Sequence, residues 1–219
     1  ERPAALVDVS ENGEAMVRIS ETGIVEFFSV ADGSGIAAYD LGSTIVKAKR
    51  LSPLVDTYAL LDNNNNLLFV KTDYIVDFDG GQRRLSPKLS FPFSNRSIPL
   101  GPLDNFDVQL ADDDLVIATV RGSQVSLTRF KNVEIGYRLS GSAQVTLAST
   151  VQAQEVFLGP RNQWIYLLSK SGEIDVLGIK SLQRVSRLYQ GSLAPKGSTI
   201  TAVTPVLGRY SLLTANDQG

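Results

Sequence analysis

The chain has neither cysteine nor histidine among its 219 residues. The first absence removes the thiolate nucleophile and every cysteine metal site, and the second removes the imidazole base and the commonest nitrogen ligand. Most familiar catalytic constellations are excluded by those two counts. Without cysteine the chain is indifferent to redox state, which suits an oxidising periplasm and equally permits a cytosolic home. An excess of charge of one sign is lacking as well: 21 Lys and Arg face 23 Asp and Glu, a formal charge of −2. No strongly basic surface is available to neutralise a phosphate backbone, so nucleic acid is not an expected partner. Apolar residues make up 43 % of the chain, yet they never run on for the roughly 20 positions that a spanning helix needs. The expectation is a soluble chain with no signal peptide at its start. No stretch sustains a 3.6-residue apolar period, so essentially no helix is expected.

What the chain does have is a period. Turn-forming residues Gly23, Asp73, Gly122 and Gly172 recur at gaps of 50, 49 and 50, and Gly219 lies 47 further on. A constant interval of this size marks a repeat architecture. Each marker sits between two β-branched, aromatic or aliphatic runs, as in Ala15-Met16-Val17-Arg18-Ile19 before Gly23 and Ile24-Val25-Glu26-Phe27-Phe28 after it. The later copies read Leu67 to Val70 with Tyr74 to Phe78, Leu115 to Val120 with Val125 to Leu127, and Trp164 to Leu168 with Ile174 to Leu177. The fifth breaks off after Tyr210-Ser211-Leu212-Leu213.

Short β-runs with turn residues every 8 to 12 positions suit a four-stranded antiparallel blade. Blades stacked face to face have apolar residues on both sides, which accounts for strands that read as continuous hydrophobic runs. The predicted fold is all-β and propeller-like, one domain over 1–219, with blades near 4–42, 54–93, 105–149 and 153–191 and a partial fifth at 199–219. A two-sheet sandwich also uses short strands, but nothing in it demands a period. In the third copy, Ile135 to Leu139 and Gln144 to Leu147 read as a long outer hairpin or an extra strand. In the second, Pro87, Pro92, Pro99 and Pro102 cannot donate to a ladder and argue for an edge or a loop.

Four groups of residues could carry chemistry. Asp62-Asn63-Asn64-Asn65-Asn66 and Asp112-Asp113-Asp114 are rich in oxygen, as calcium loops are, but lack the alternate-position spacing of one. They read as hairpin turns at one equivalent place, between first and second strands, where Ser10 to Gly13 lies in the first copy. Glu26, Asp77 and Asp175 fall in corresponding third strands and could pair as acid and base in glycoside hydrolysis, or simply solvate a rim or pair with a neighbouring Lys or Arg. Arg83, Arg84, Arg121, Arg138 and Arg161 offer forked donors for phosphate, without a glycine-rich cradle beside them. Ser140-Gly141-Ser142 lacks a histidine base and reads as a turn. No catalytic, cofactor-binding or metal-binding residue is assigned, no cofactor is expected, and the ligand-binding residues are left unknown.

The repeats resemble the broad WD-repeat and quinoprotein-like propellers, although the single Trp164 closes no Trp-Asp pair and a Gly-His start is impossible. A more particular likeness covers most of the chain. Ile24-Val25-Glu26-Phe27-Phe28-Ser29-Val30, Val125-Ser126-Leu127-Thr128-Arg129-Phe130 and Ser211-Leu212-Leu213-Thr214-Ala215-Asn216-Asp217-Gln218-Gly219 are similar to the periplasmic insertion of long-form permease subunits of phosphate-type ABC transporters. That resemblance implies a non-enzymatic, extracytoplasmic domain of a bacterial inner-membrane protein. It would contact its own transmembrane core, with a periplasmic substrate-binding protein as a further candidate partner. The alternatives from other classes are a free periplasmic scaffold for envelope protein assembly and a carboxylate-dependent propeller hydrolase.

Overall fold

A computed structural model describes residues 3–52, 55–92, 97–111, 114–133, 136–146, 152–181 and 184–218. Gly219, Asp112, Asp113, Ile135 and Leu147 lie outside them. The chain divides into two compact units, residues 1–101 and 102–219.

In the first unit, β1 (Ala4–Val9), β2 (Ala15–Ser20), β3 (Ile24–Ser29) and β4 (Gly35–Asp40) form an antiparallel meander in sequence order. Alternation decides which face is buried: Ala15, Val17 and Ile19 on β2 have no exposure, whereas Met16 and Arg18 between them are half-buried. The second sheet has β5 (Ile45–Ser52), β6 (Val55–Asp62) and β7 (Asn66–Asp79), and it therefore begins nearer the first than residue 54. Val17, Ile19, Val25 and Phe27 of the first sheet pack on Tyr58, Leu60, Leu68 and Val70 of the second. Each large aliphatic or aromatic side chain so buried contributes about 1.5–3 kcal/mol.

β7 departs from the repeat. Its first half pairs with β6 and with the three-residue β9 (Ser97–Pro99), while residues 71–79 pair with β8 (Gln82–Ser90) as a separate arm. Asp73 thus lies inside a strand rather than at a hairpin tip. The tip is Asn65, whose φ of 60° supplies the left-handed residue that Gly23 and Gly172 supply elsewhere. The N–H groups of Gly23, Asn65 and Gly172 reach back to the carbonyls of Ser20, Asp62 and Ser169 respectively. Residues 62–66 accordingly connect second and third strands, not first and second. Pro87 and Pro99 lie in β8 and β9, each of which pairs only with β7 among the described residues, as strands that cannot donate at every position should.

In the second unit, β10 (Asn105–Ala111), β11 (Asp114–Arg121), β12 (Gln124–Val133) and β13 (Gly136–Thr146) form one meander, and β14 (Glu155–Leu158), β15 (Trp164–Leu168), β16 (Glu173–Ser181) and β17 (Arg184–Ser192) another. β18 (Ile200–Val206) and β19 (Ser211–Asn216) pair as a two-stranded sheet. The two candidate strands of the third copy are one strand, β13, forming a long hairpin with β12. Ser140-Gly141-Ser142 is not a turn: it falls at a bulge, where the register slips between Arg129 and Phe130, and a glycine inside a strand commonly marks such a place. Val116, Ala118, Val125 and Leu127 pack on Val156, Leu158, Ile165 and Leu177. The other face of the fourth sheet, with Phe157, Tyr166, Leu168 and Ile174, is covered by Ile200, Val203 and Leu212.

Candidate functional site

The structure does not gather the candidate carboxylates. Glu26 is 3.1 Å from Arg18 across β2 and β3. Asp77 is exposed and accepts the N–H of Phe78 beside it. Asp175 has no exposure and sits 3.1 Å from Arg187 on the neighbouring strand. Glu26 and Asp175 thus each face an arginine. Asp62 closes its own turn: one carboxylate oxygen accepts the N–H groups of Asn64 and Asn66 at 2.8 Å. Its other oxygen takes the Asn66 amide at 3.0 Å.

Of the arginines, Arg83 and Arg84 come together. They line an open cleft of about 690 Å³ in the first unit, opposite Glu14, Val30 and Ile36. Arg83 is held there by Glu14 at 2.8 Å. Arg121 ends β11, Arg138 lies in β13, and Arg161 occupies a left-handed position, φ 50°, in a short 3-10 turn at Pro160–Asn162.

The cleft exists because of the arm. Lys71-Thr72-Asp73 contains no glycine, so β7 runs on past its sheet, and three contacts hold the extension in place. The Thr72 hydroxyl donates to the Asp56 carbonyl at 3.3 Å. Tyr74 meets Phe27 edge to face, with ring centroids 6.1 Å apart, and the Tyr39 hydroxyl donates to the Pro87 carbonyl at 2.7 Å. Beyond these anchors Ile75, Val76 and Phe78 are exposed, Phe78 to 67 %. Val76 and Phe78 share the strand face of Tyr74 and Ile75 lies on the other, so the arm presents apolar side chains to solvent on both faces.

Two buried polar clusters escape sequence reasoning. In the first unit Arg50 donates to Asp56 at 2.5 Å and to Asp8 at 3.1 Å, while both Asp56 oxygens accept the Glu11 N–H. Burial first, then the charges of Asp8 and Asp56, push the Tyr58 phenol far above its ordinary range, because ionisation would place another negative charge in a dry site. In the second unit Asp107 is 1 % exposed and accepts the Leu158 N–H at 2.7 Å and Arg209 at 2.6 Å. Arg209 belongs to the β18–β19 turn and also donates to the Leu158 carbonyl at 3.0 Å, so it ties that hairpin to two preceding sheets. The signal in the sequence is Phe106-Asp107-Val108, a charge inside an apolar run.

Comparison with solved structures shows a β-propeller-like fold. The chain aligns over 100 % of its length with 57 % of a chain in the fission yeast complex of SREBP–SCAP binding domains, at 14 % identity and a TM-score of 0.55. It aligns over 97 % with 66 % of the Cps50 (Swd1) β-propeller domain of Myceliophteria thermophila, at 10 % identity and a TM-score of 0.55. A putative 6-phosphogluconolactonase from Bacteroides fragilis is matched over 95 % of this chain and 62 % of that one, at 15 % identity and a TM-score of 0.55. The chain spans about half to two thirds of the length of the propellers it matches. By sequence, no known family and no curated protein matches it.

Proposed function

We propose that the chain acts by contact with other proteins, as the extracytoplasmic domain of a phosphate-type ABC transporter permease. The observation that carries the contact reading is the β7–β8 arm, which leaves its sheet to hold Ile75, Val76 and Phe78 in solvent beside the arginine-lined cleft. A fold of this kind gives such an arm a rigid base, and one structural neighbour is a complex of two binding domains. The permease reading rests on the resemblance of the β3, β12 and β19 segments to the periplasmic insertion of that family. The permease's transmembrane core is then the first partner, and a substrate-binding protein the second. The lactonase neighbour keeps a hydrolase in view, but Glu26 and Asp175 each face an arginine, and no carboxylate pair lines the cleft.

The test places a photo-cross-linking residue at Phe78 in the intact parent protein, in its native membrane. The expected product joins the arm to the permease core or to a periplasmic binding protein, and Val76→Asp, on the same strand face as Phe78, should weaken it. If Phe78 yields no cross-link while exposed positions on β13 do, the arm is not the contact surface. If the parent carries no membrane-spanning helix, the permease reading fails and contact with a soluble partner remains.

A further inference from the structure

The two faces of the β7–β8 arm differ in what they meet. Strand alternation puts Tyr74, Val76 and Phe78 of β7 on one face, with Pro87, Leu85 and Arg83 of β8 opposite them in turn. At the root of the arm this inner face is fixed to the first sheet, where Tyr74 meets Phe27 edge to face and the Tyr39 hydroxyl donates to the Pro87 carbonyl. Further out, the cleft of about 690 Å³ opens, with Leu85 and Arg83 on one wall and Val30 and Ile36 on the other. Val30 is 50 % exposed and Ile36 half-buried, so the apolar walls meet solvent rather than each other.

Charge selects what such a cleft would hold. Its lining carries two arginines and one glutamate. Arg84 stands opposite Asp77 on the outer face of the arm, whereas Arg83 on the inner face donates from one nitrogen to one Glu14 oxygen at 2.8 Å. The Arg83 and Glu14 side chains are 47 % and 36 % exposed, and the same glutamate oxygen also accepts the Asn12 amide at 3.2 Å. A guanidinium offers a fork of donors that fits a carboxylate through two parallel bonds, and the single-point contact leaves that geometry unused. An ion pair so exposed contributes little to stability, and on release Glu14 keeps Asn12. Glu14 thus has the place and the charge of a ligand without the full geometry of one.

We infer that the cleft receives an acidic side chain from an extended segment of a partner protein, with Arg83 as its anchor and Glu14 as the resident carboxylate it displaces. This rests on the reading of the chain as a contact module and names the chemistry of the partner at the cleft. In an extended segment the residues two positions to either side of the acid share its face, so apolar residues there meet Leu85, Val30 and Ile36. A small inorganic anion would gain the guanidinium but none of the apolar walls. An uncharged apolar segment would gain the walls but leave Arg83 to Glu14. Only a segment with both features uses the whole cleft.

The probe is a labelled peptide, acetyl-Leu-Ser-Glu-Ser-Leu-amide, titrated against the full chain. It is expected to bind saturably, and its glutamine counterpart to bind about tenfold more weakly. Arg83→Gln should cost the glutamate peptide the same factor and remove the difference between the two peptides, as direct pairing requires. Glu14→Ala should raise affinity about two- to fivefold by removing the competing carboxylate. Lys88→Gln takes a positive charge from the outer face of the same strand, opposite Asp73, and should leave binding unchanged. No saturable binding, equal affinity for the two peptides, a difference between them that survives in Arg83→Gln, or weaker binding in Glu14→Ala would each overturn the inference. Displacement of the peptide by an equal concentration of inorganic phosphate would overturn it too, giving the cleft to a free anion. If Phe78 in the parent yields no cross-link while the peptides behave as expected, the tip of the arm loses its role and the cleft stands.

Discussion

Tyr58 places a phenol hydroxyl at a site with no exposure, next to Asp8, Asp56 and Arg50, and that hydroxyl has no hydrogen-bond partner among the described residues. Its aromatic ring belongs to the core between the first two sheets, so a tyrosine there combines a large apolar contribution with a polar cost of about 1–3 kcal/mol. The site also makes stability depend on pH in a definite direction. In the unfolded chain the phenol ionises near pH 10, while in the folded chain burial holds the proton to higher pH. Below about pH 10 both states keep the proton and the folded state loses nothing; above it only the unfolded state releases one, so stability falls as pH rises. Tyr74, also raised by burial, adds to the same loss. Tyr58→Phe should therefore raise stability by about 1 kcal/mol at pH 8 and reduce the drop between pH 8 and pH 11. Urea unfolding at the two pH values decides it: an equal drop in both proteins would show that Tyr58 ionises freely when folded.

At the scale of the element, hairpin tips carry the repeat, and they differ in what surrounds them. Gly23 has a φ of 81°, and a Cβ at that position would strike the carbonyl oxygen of Ser43. Gly13 has a φ of 71° with nothing within 4 Å of the same point. Gly13→Ala should thus cost about 1 kcal/mol, from the left-handed backbone alone. Gly23→Ala should cost about 2 kcal/mol or more, since the following strand must also shift. Equal losses in chemical denaturation would mean that the Ser43 segment moves aside freely. These tips also explain what is legible in the sequence. Gly23, Gly122 and Gly172 betray their turns because few other residues accept positive φ, and the four-stranded meanders follow from the apolar runs between them. Asp73 misleads because an even interval does not fix a position: the real tip uses Asn65, which also tolerates the left-handed region, and the second copy then runs straight into an arm. The bulge at Ser140 and the Arg209 tie to Asp107 depend on strand register and on contact across 102 positions of sequence, which no local pattern records.

At the scale of the whole molecule, each unit buries its own apolar core between packed sheets, and the chain has no histidine or cysteine to add reactive groups. Its buried charges serve as ties: Asp56, held by Arg50, anchors the Glu11 loop by accepting its N–H, and Asp107 anchors the β18–β19 turn through Arg209. Removing either partner of such a pair would strand a charge, so these residues are committed to the fold. A contact domain can alter the activity of a parent protein only by preferring one of its conformations or by holding its delivery partner. The isolated chain is therefore expected to hydrolyse no glycoside, ester or phosphate ester, and to bind free phosphate no better than millimolar, because Arg83 is engaged by Glu14 in an open cleft. On the proposed permease reading, deleting the domain from its parent should change assembly, partner docking or transport rate while leaving the identity of the solute unchanged. Calorimetry can decide against this: a micromolar phosphate site that disappears in Arg83→Ala with Arg84→Ala would make the cleft a ligand sensor and the arm its wall rather than a docking surface.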